Sequence, residues 1–339
     1  MKTAVVRVIA LVLCVGLIFG LATFFMQVPG GGWRRNANGV SADTVMIEMN
    51  EGYSVTADEY FYYAFMSRDS YISQYGAEIF EIIPSLSDNV LTQVDGVLIG
   101  NNAFAMWGKE AGFELSEEDA AVFDVQLAEM TASLKASGKR IEAYFKENNL
   151  TVELFRRIFL RDAYVEKFLS DYLTPDHPAL AVNDKEINDY IDKNGVMGAK
   201  HILFAFDSYS SEDKCRATAR DVLERIKEGE DFDTLMNEYT DDASGLSANP
   251  DGYVFRTGEF VPEFEEATKS LKTGETSELI ETEYGYHIIQ RIDVNKDQVK
   301  IWVQQNKVAE KRDEYEQRLN PRATEAREGL NLIDMKPVV

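Results

Sequence analysis

From Val8 to Val28 the chain reads VIALVLCVGLIFGLATFFMQV, 21 residues without a charge. About 20 apolar residues are what a helix needs to cross the hydrocarbon core of a bilayer. Lys2 and Arg7 precede the run, and Gly30-Gly31-Gly32 and Trp33 follow it. A cleaved signal peptide is the competing reading. Gly20-Leu21-Ala22 has the small residues of a cleavage site, but the apolar run continues through Phe24, Phe25 and Met26. Val40-Ser41-Ala42 lies far beyond the run, and Leu13 before Cys14 argues against a lipidated cysteine. Residues 1–29 therefore read as an uncleaved transmembrane signal anchor. Flanking charge does not orient it, because Lys2 and Arg7 stand against Arg34 and Arg35.

The rest of the chain must then form a body outside the bilayer. At 339 residues, 45% of them hydrophobic, it can bury two or three cores. Acids outnumber bases 58 to 35, a net charge of −23. That balance excludes nucleic acid, which needs a basic face, and a body lying on anionic lipid. Cys14 and Cys215 form neither a metal spacing nor a disulfide framework.

Residues 30–42 read as a Gly-rich basic linker. Val45–Val55 alternates loosely, as a short strand or turn does. Thr56 before Ala57-Asp58-Glu59 predicts a capped helix start. From there to Leu173 the pattern is helical, most clearly over 152–173, where Phe155, Ile158, Phe159, Phe168 and Leu169 follow helical spacing. Thr174-Pro175-Asp176-His177-Pro178 breaks it, with His177 a loop residue. A helix over 183–193 ends at Asn194-Gly195.

Then the period changes. Ala199–Phe206 predicts a strand, Glu212–Glu228 a helix, Phe232–Tyr239 a short helix, and Tyr253–Phe255 a strand after a Pro250-Asp251-Gly252 turn. Pro262–Leu271 predicts a helix, followed by strands at Ser277–Glu281 and Tyr286–Asp293. The expected order is β-α-α-β-α-β-β. Lys296–Leu319 is a charged helix whose stripe of Val299, Trp302, Val303, Val308 and Tyr315 needs a partner surface.

Four segments in this region carry chemistry: Ala199-Lys200-His201-Ile202-Leu203, Tyr239-Thr240-Asp241-Asp242-Ala243-Ser244, Gly258-Glu259-Phe260-Val261-Pro262-Glu263-Phe264 and Tyr284-Gly285-Tyr286-His287-Ile288-Ile289. In this order and spacing they resemble the parvulin family of peptidyl-prolyl isomerases. The resemblance implies that His201 and His287 are paired histidines on neighbouring strands. It places Asp242 where parvulins carry Asp or Cys, with Asp241 a one-residue alternative, and Thr282 at a hydroxyl position near the second histidine. Phe260 and Phe264 match residues lining the proline pocket, and Tyr253 stands near its wall. There the chain reads Asn249-Pro250-Asp251-Gly252-Tyr253 where relatives often read Gly-Gly-Asp-Leu-Gly. The catalytic set implied is thus His201, Asp242, His287 and Thr282, and the substrate-binding set Phe260, Phe264 and Tyr253. No cofactor or metal is implied.

The residue types suit that chemistry. Rotating a peptide bond costs roughly 18–20 kcal/mol because resonance is lost in the twisted state. An apolar pocket can hold the proline ring while fixed polar groups favour the twisted amide. On local pattern alone, the histidines read equally as structural support and the two phenylalanines as core. Phosphate-directed specificity needs a basic cluster after the first histidine. This chain has the acidic stretch Phe206–Asp213 there instead.

The whole arrangement resembles PrsA-type foldases and, more distantly, SurA-like and PpiD-like chaperones. It implies an α+β fold. A parvulin-like α/β domain at 198–294, a small antiparallel sheet with surrounding helices, is inserted between a mostly helical chaperone-like domain at 43–197 and a C-terminal helix and tail at 295–339 that pack on it. It also implies a single-pass protein of the cell membrane with its body on the extracytoplasmic side. The clients would be unfolded or partly folded exported polypeptides containing Xaa-Pro bonds. Two alternatives stand beside the isomerase and chaperone: a holding chaperone whose parvulin domain only binds, and a surface protein using that domain as a binding module. The cluster Tyr60-Phe61-Tyr62-Tyr63 reads as core ahead of client-binding surface.

Overall fold

The computed structural model describes residues 40–76, 78–147 and 150–332. The run Val8–Val28, read as a membrane anchor, lies outside these residues, as does most of the basic linker. Among the described residues no helix is long and apolar enough to cross a membrane. Over the described residues the chain divides into two compact units, one built from the chain up to residue 180 together with the chain from 307 on, the other of residues 181–306.

The first unit opens with an antiparallel hairpin of β1 (Val45–Glu48) and β2 (Ser54–Thr56). Helix α1 (Ala57–Tyr75) starts where the sequence places it, but the expected cap is not made. The Thr56 hydroxyl instead donates to Asp58 Oδ1 at 2.6 Å, and that carboxylate oxygen itself accepts the Glu59 N–H at 2.8 Å in the first turn. Tyr60, Phe61, Tyr62 and Tyr63 are all buried, so all four are core. Then come α2 (Ile79–Ile82), α3 (Ser85–Glu110), α4 (Glu117–Ala136), α5 (Ile141–Glu147) and α6 (Val152–Lys167). Thr151 caps α6 by accepting the Leu154 N–H at 3.0 Å. The helical run ends in a π turn at Phe168–Tyr172, just ahead of Pro175. Its core gathers Leu91, Leu98, Trp107 and Phe168.

The second unit begins with α7 (Asp184–Asn194). Asn183 accepts the Glu186 N–H at 3.0 Å while Glu186 accepts the Asn183 N–H at 2.9 Å, a reciprocal cap. Gly195, at φ 57°, ends the helix in the left-handed region. The sheet follows. Its strands are β3 (Met197–Ala205), β4 (Tyr253–Phe255), β5 (Ile280–Thr282) and β6 (Gly285–Ile292), in the order β4-β3-β6-β5, antiparallel throughout.

Side chains alternate between the faces of a strand. The even positions Ile202, Phe204, Tyr286 and Ile288 meet α8 (Glu212–Lys227) and α9 (Phe232–Tyr239). The odd positions Met197, Ala199 and Ile289 meet Phe264 of α11 (Pro262–Ser270) on the other face. His201 and His287 are odd. Between α9 and β4 lies a short helix, α10 (Ala243–Ala248), absent from the expected order because six residues carry too little periodicity to register. The fold is α+β, as expected.

Helix α12 (Lys296–Leu319) supplies the core of each unit in turn. Val299 and Val303 join Ile187 and Val196 of the second. Val308, Tyr315 and Leu319 join the core of the first, where Tyr315 stacks on Trp107 at 6.1 Å. There β7 (Arg322–Ala323) pairs with β1, and Arg327 of α13 (Glu325–Glu328) makes a two-pronged contact with Asp95 at 2.7 and 2.9 Å.

Candidate active site

The register of the two central strands sets the site. His201 lies opposite Ile289, and His287 opposite Leu203. The histidines are thus diagonal neighbours on one face, close enough to touch. Their rings stack at 5.4 Å with the planes 13° apart, and Nδ1 of one lies 3.1 Å from Nδ1 of the other. His201 Nε2 is 3.1 Å from Asp242 Oδ2, and Thr282 Oγ1 is 2.9 Å from His287 Nε2. The four residues of the implied catalytic set form one continuous chain.

Asp242 rather than Asp241 meets the histidine. Asp241 accepts the Ala205 N–H at 2.8 Å, tying it to the end of β3. Asp242 sits at the N-cap of α10, where Oδ1 accepts the Gly245 N–H at 3.0 Å. Its Oδ2 also accepts the Tyr253 hydroxyl at 2.5 Å.

These contacts dictate where the protons are. A carboxylate only accepts, so His201 Nε2 carries a proton toward Asp242. His201 Nδ1 is then the acceptor, and His287 Nδ1 donates to it. His287 Nε2 in turn accepts from the Thr282 hydroxyl, whose oxygen takes the Tyr284 N–H at 3.2 Å. Both imidazoles are neutral in this scheme. Burial holds His201 below the usual histidine range against the pull of Asp242. Burial, reinforced by His201, pushes His287 down to about 3. Burial tends to raise Asp242, but Tyr253, the Gly245 N–H and His201 together hold its carboxyl below the usual range. Each of the four imidazole nitrogens thus faces a partner within the chain, His201 and His287 each other at Nδ1, Asp242 and Thr282 at Nε2.

An aromatic wall stands beside this chain. Phe264 is buried with its ring edge-on to His201 at 5.4 Å and His287 at 5.7 Å. Phe260 stacks on Phe264 at 4.9 Å and meets Phe255 at 4.5 Å and Tyr253 at 5.4 Å. Phe260, Tyr253 and Asp242 keep partial exposure, whereas His201, His287, Thr282 and Phe264 are buried. The sequence reading missed the Tyr253–Asp242 bond, the contact of Gly245 with that carboxylate and the place of Phe255. Only the Asp-Ala-Ser-Gly spacing, which suits a helix cap, signalled any of them.

Residues 201–293 match the Rotamase family model, described as a PPIC-type PPIase domain. The chain therefore carries a parvulin-type domain. It is 37% identical over 152 residues to the foldase protein PrsA of Caldanaerobacter subterraneus subsp. tengcongensis, covering 44% of this chain and 45% of the relative. It is 39% identical over 135 residues to the foldase protein PrsA of Halalkalibacterium halodurans, covering 37% and 38%. Over 135 residues it is 33% identical to the chaperone SurA of Nitrosococcus oceani, covering 37% and 32%. Each match spans less than half of the relative's own length.

Proposed function

We propose that the domain at 198–294 accelerates cis–trans isomerisation of Xaa-Pro bonds and that the chain is a foldase for exported polypeptides. The observation that carries this reading is the unbroken chain Asp242–His201–His287–Thr282 beside the partly exposed ring of Phe260. Phe260 and Tyr253 supply the wall for a proline ring, with Phe264 fixing Phe260 from beneath. The neutral histidines brace the wall and present no charge that would favour the planar, strongly solvated amide over the twisted one. A pocket of this kind needs neither nucleophile nor metal. Unaided, the same step takes tens to hundreds of seconds and can limit folding.

The helical region with the tail at 295–339 is read as the chaperone module, and Val8–Val28 as the anchor that holds the body at the extracytoplasmic face of the membrane. The anchor reading rests on the length of that uncharged run.

The test is exchange spectroscopy on a non-phosphorylated Xaa-Pro peptide with the full chain, beside an aggregation assay on an unfolded client. Acceleration of peptide exchange supports the isomerase. Suppressed aggregation with no acceleration replaces it with a holding chaperone, and neither effect leaves a binding module.

A further inference from the structure

Asp242 is an anion surrounded by dipoles. His201 faces it from β3, Tyr253 from β4 and the Gly245 N–H from α10, with His287 of β6 behind His201. The neighbouring Asp241 is turned to the Ala205 N–H. The Tyr253 hydroxyl makes the shortest of the contacts to Asp242, on the same oxygen that His201 uses.

The geometry points to Tyr253 as a positioning residue that acts through Asp242: its hydroxyl keeps the carboxylate ionised and thereby sets the direction of every proton in the histidine chain. This rests on the isomerase reading above and names what governs that site.

The local backbone is shaped for this contact. A Cβ on Gly245 would overlap both the Tyr253 hydroxyl and the Asp242 carboxylate. Gly252, at φ 98°, turns the chain into β4, and a Cβ there would press on the Ala199 carbonyl. Tyr253 is thereby delivered opposite Ala199, with its ring edge-on to His201 at 5.4 Å. The ring has packing partners of its own in His201 and Phe260, so the hydroxyl can be removed without emptying the site.

Protonation of Asp242 has a defined consequence. Oδ2 becomes a hydroxyl that donates to His201 Nε2. His201 Nδ1 must then carry the proton and donate to His287 Nδ1, and His287 Nε2 donates to Thr282 Oγ1. The Thr282 hydroxyl turns to the Gly285 carbonyl, already 3.3 Å away. The number of protons on the two imidazoles is unchanged; each has switched tautomer. Losing one donor to a carboxylate destabilises its charged form, so Tyr253→Phe makes this inversion occur at higher pH.

The experiment follows the full chain and Tyr253→Phe by NMR, reading imidazole nitrogen shifts for the tautomers and the Asp242 carboxyl carbon for its titration. Isomerase kcat and KM are measured over the same pH range. In Tyr253→Phe the carboxyl midpoint and the tautomer switch should both move up by about one pH unit. The acid limb of kcat should move with them and KM stay within about twofold. Identical midpoints and identical tautomer switches in the two folded proteins would overturn the inference. So would a kcat profile that loses height without moving. If the unmodified chain accelerates no peptide, the isomerase reading fails, and the titration comparison still decides the role of Tyr253.

Discussion

Each unit buries a chain of hydrogen-bonded side chains, and the two chains are balanced by different means. In the helical unit the Tyr63 hydroxyl donates to Asp162 at 2.5 Å. Arg161 reaches Tyr63 at 2.6 Å and Asp162 at 3.0 Å, and also pairs with Glu59. A guanidinium thus stands between two carboxylates. In the parvulin-type unit the single carboxylate of Asp242 leans on two neutral rings, a phenol and a backbone amide. A network with its own cation is a brace, costly to break because an unpaired buried charge remains. A network without one is held by dipoles, and its protonation can follow the solvent. Such perturbed groups beside a partly open wall are a mark of functional sites.

The largest effect should come from breaking the network that holds its own cation. Asp162→Ala removes the acceptor that Tyr63, Asn101 and Arg161 share, while Glu59 still pairs with the guanidinium. With about 1–3 kcal/mol for each buried donor deprived of its acceptor, the helical unit should lose about 3–5 kcal/mol in denaturant melts. The histidine tautomers of the other unit should stay where they are. Movement in both would show that the networks are not independent.

Next in size, Asp242→Ala should reduce kcat/KM by roughly 10²-fold, the scale of losing a fixed polar group at a reacting centre. Unchanged kcat/KM in a folded variant would make the chain of histidines a scaffold only.

A third effect separates the units by pH. His287 titrates near 3 when folded and near 6.5 when unfolded. Between those values the unfolded chain binds a proton that the folded chain refuses. The contribution of His287 is therefore complete above about pH 6.5 and is lost as the pH falls toward 3, at up to about 1.4 kcal/mol per pH unit. His201 shifts in the same direction. Melts at stepped pH should show the parvulin-type unit weakening first, since the helical unit buries no histidine. Parallel weakening of both would contradict this assignment.

The smallest effect is that of Thr282→Val, which removes the donor to His287 Nε2. A loss of about 1 kcal/mol is expected, with a change in the His287 nitrogen shifts. Unaltered shifts would mean that Thr282 does not set the tautomer.

The histidine pair was legible through the four segments that resemble the parvulin family, which imply His201 and His287 on neighbouring strands. The apolar runs around them predict strands but do not say which face either ring takes. Arg161 and Asp162 gave no such signal. On α6 they read as the charged side of an amphipathic helix, and only Glu59 and Tyr63, about a hundred residues earlier, make that side an interior. The Tyr253–Asp242 bond depends on the path of a loop. That path is set by a positive φ at Gly252 and by the space over Gly245, neither of which a residue pattern expresses. Thr56 shows the reverse case, in which a well-formed cap signal yields to the carboxylate two residues on.

The central claim is that this chain of dipoles serves prolyl isomerisation. The measurement that meets it most directly is the exchange rate of a non-phosphorylated Xaa-Pro peptide with the unmodified chain and with Asp242→Ala, each checked by thermal melt. The account predicts rapid exchange with the first and near-background exchange with the second, both folded. Background exchange with a well-folded unmodified chain, or equal acceleration by both proteins, would contradict it.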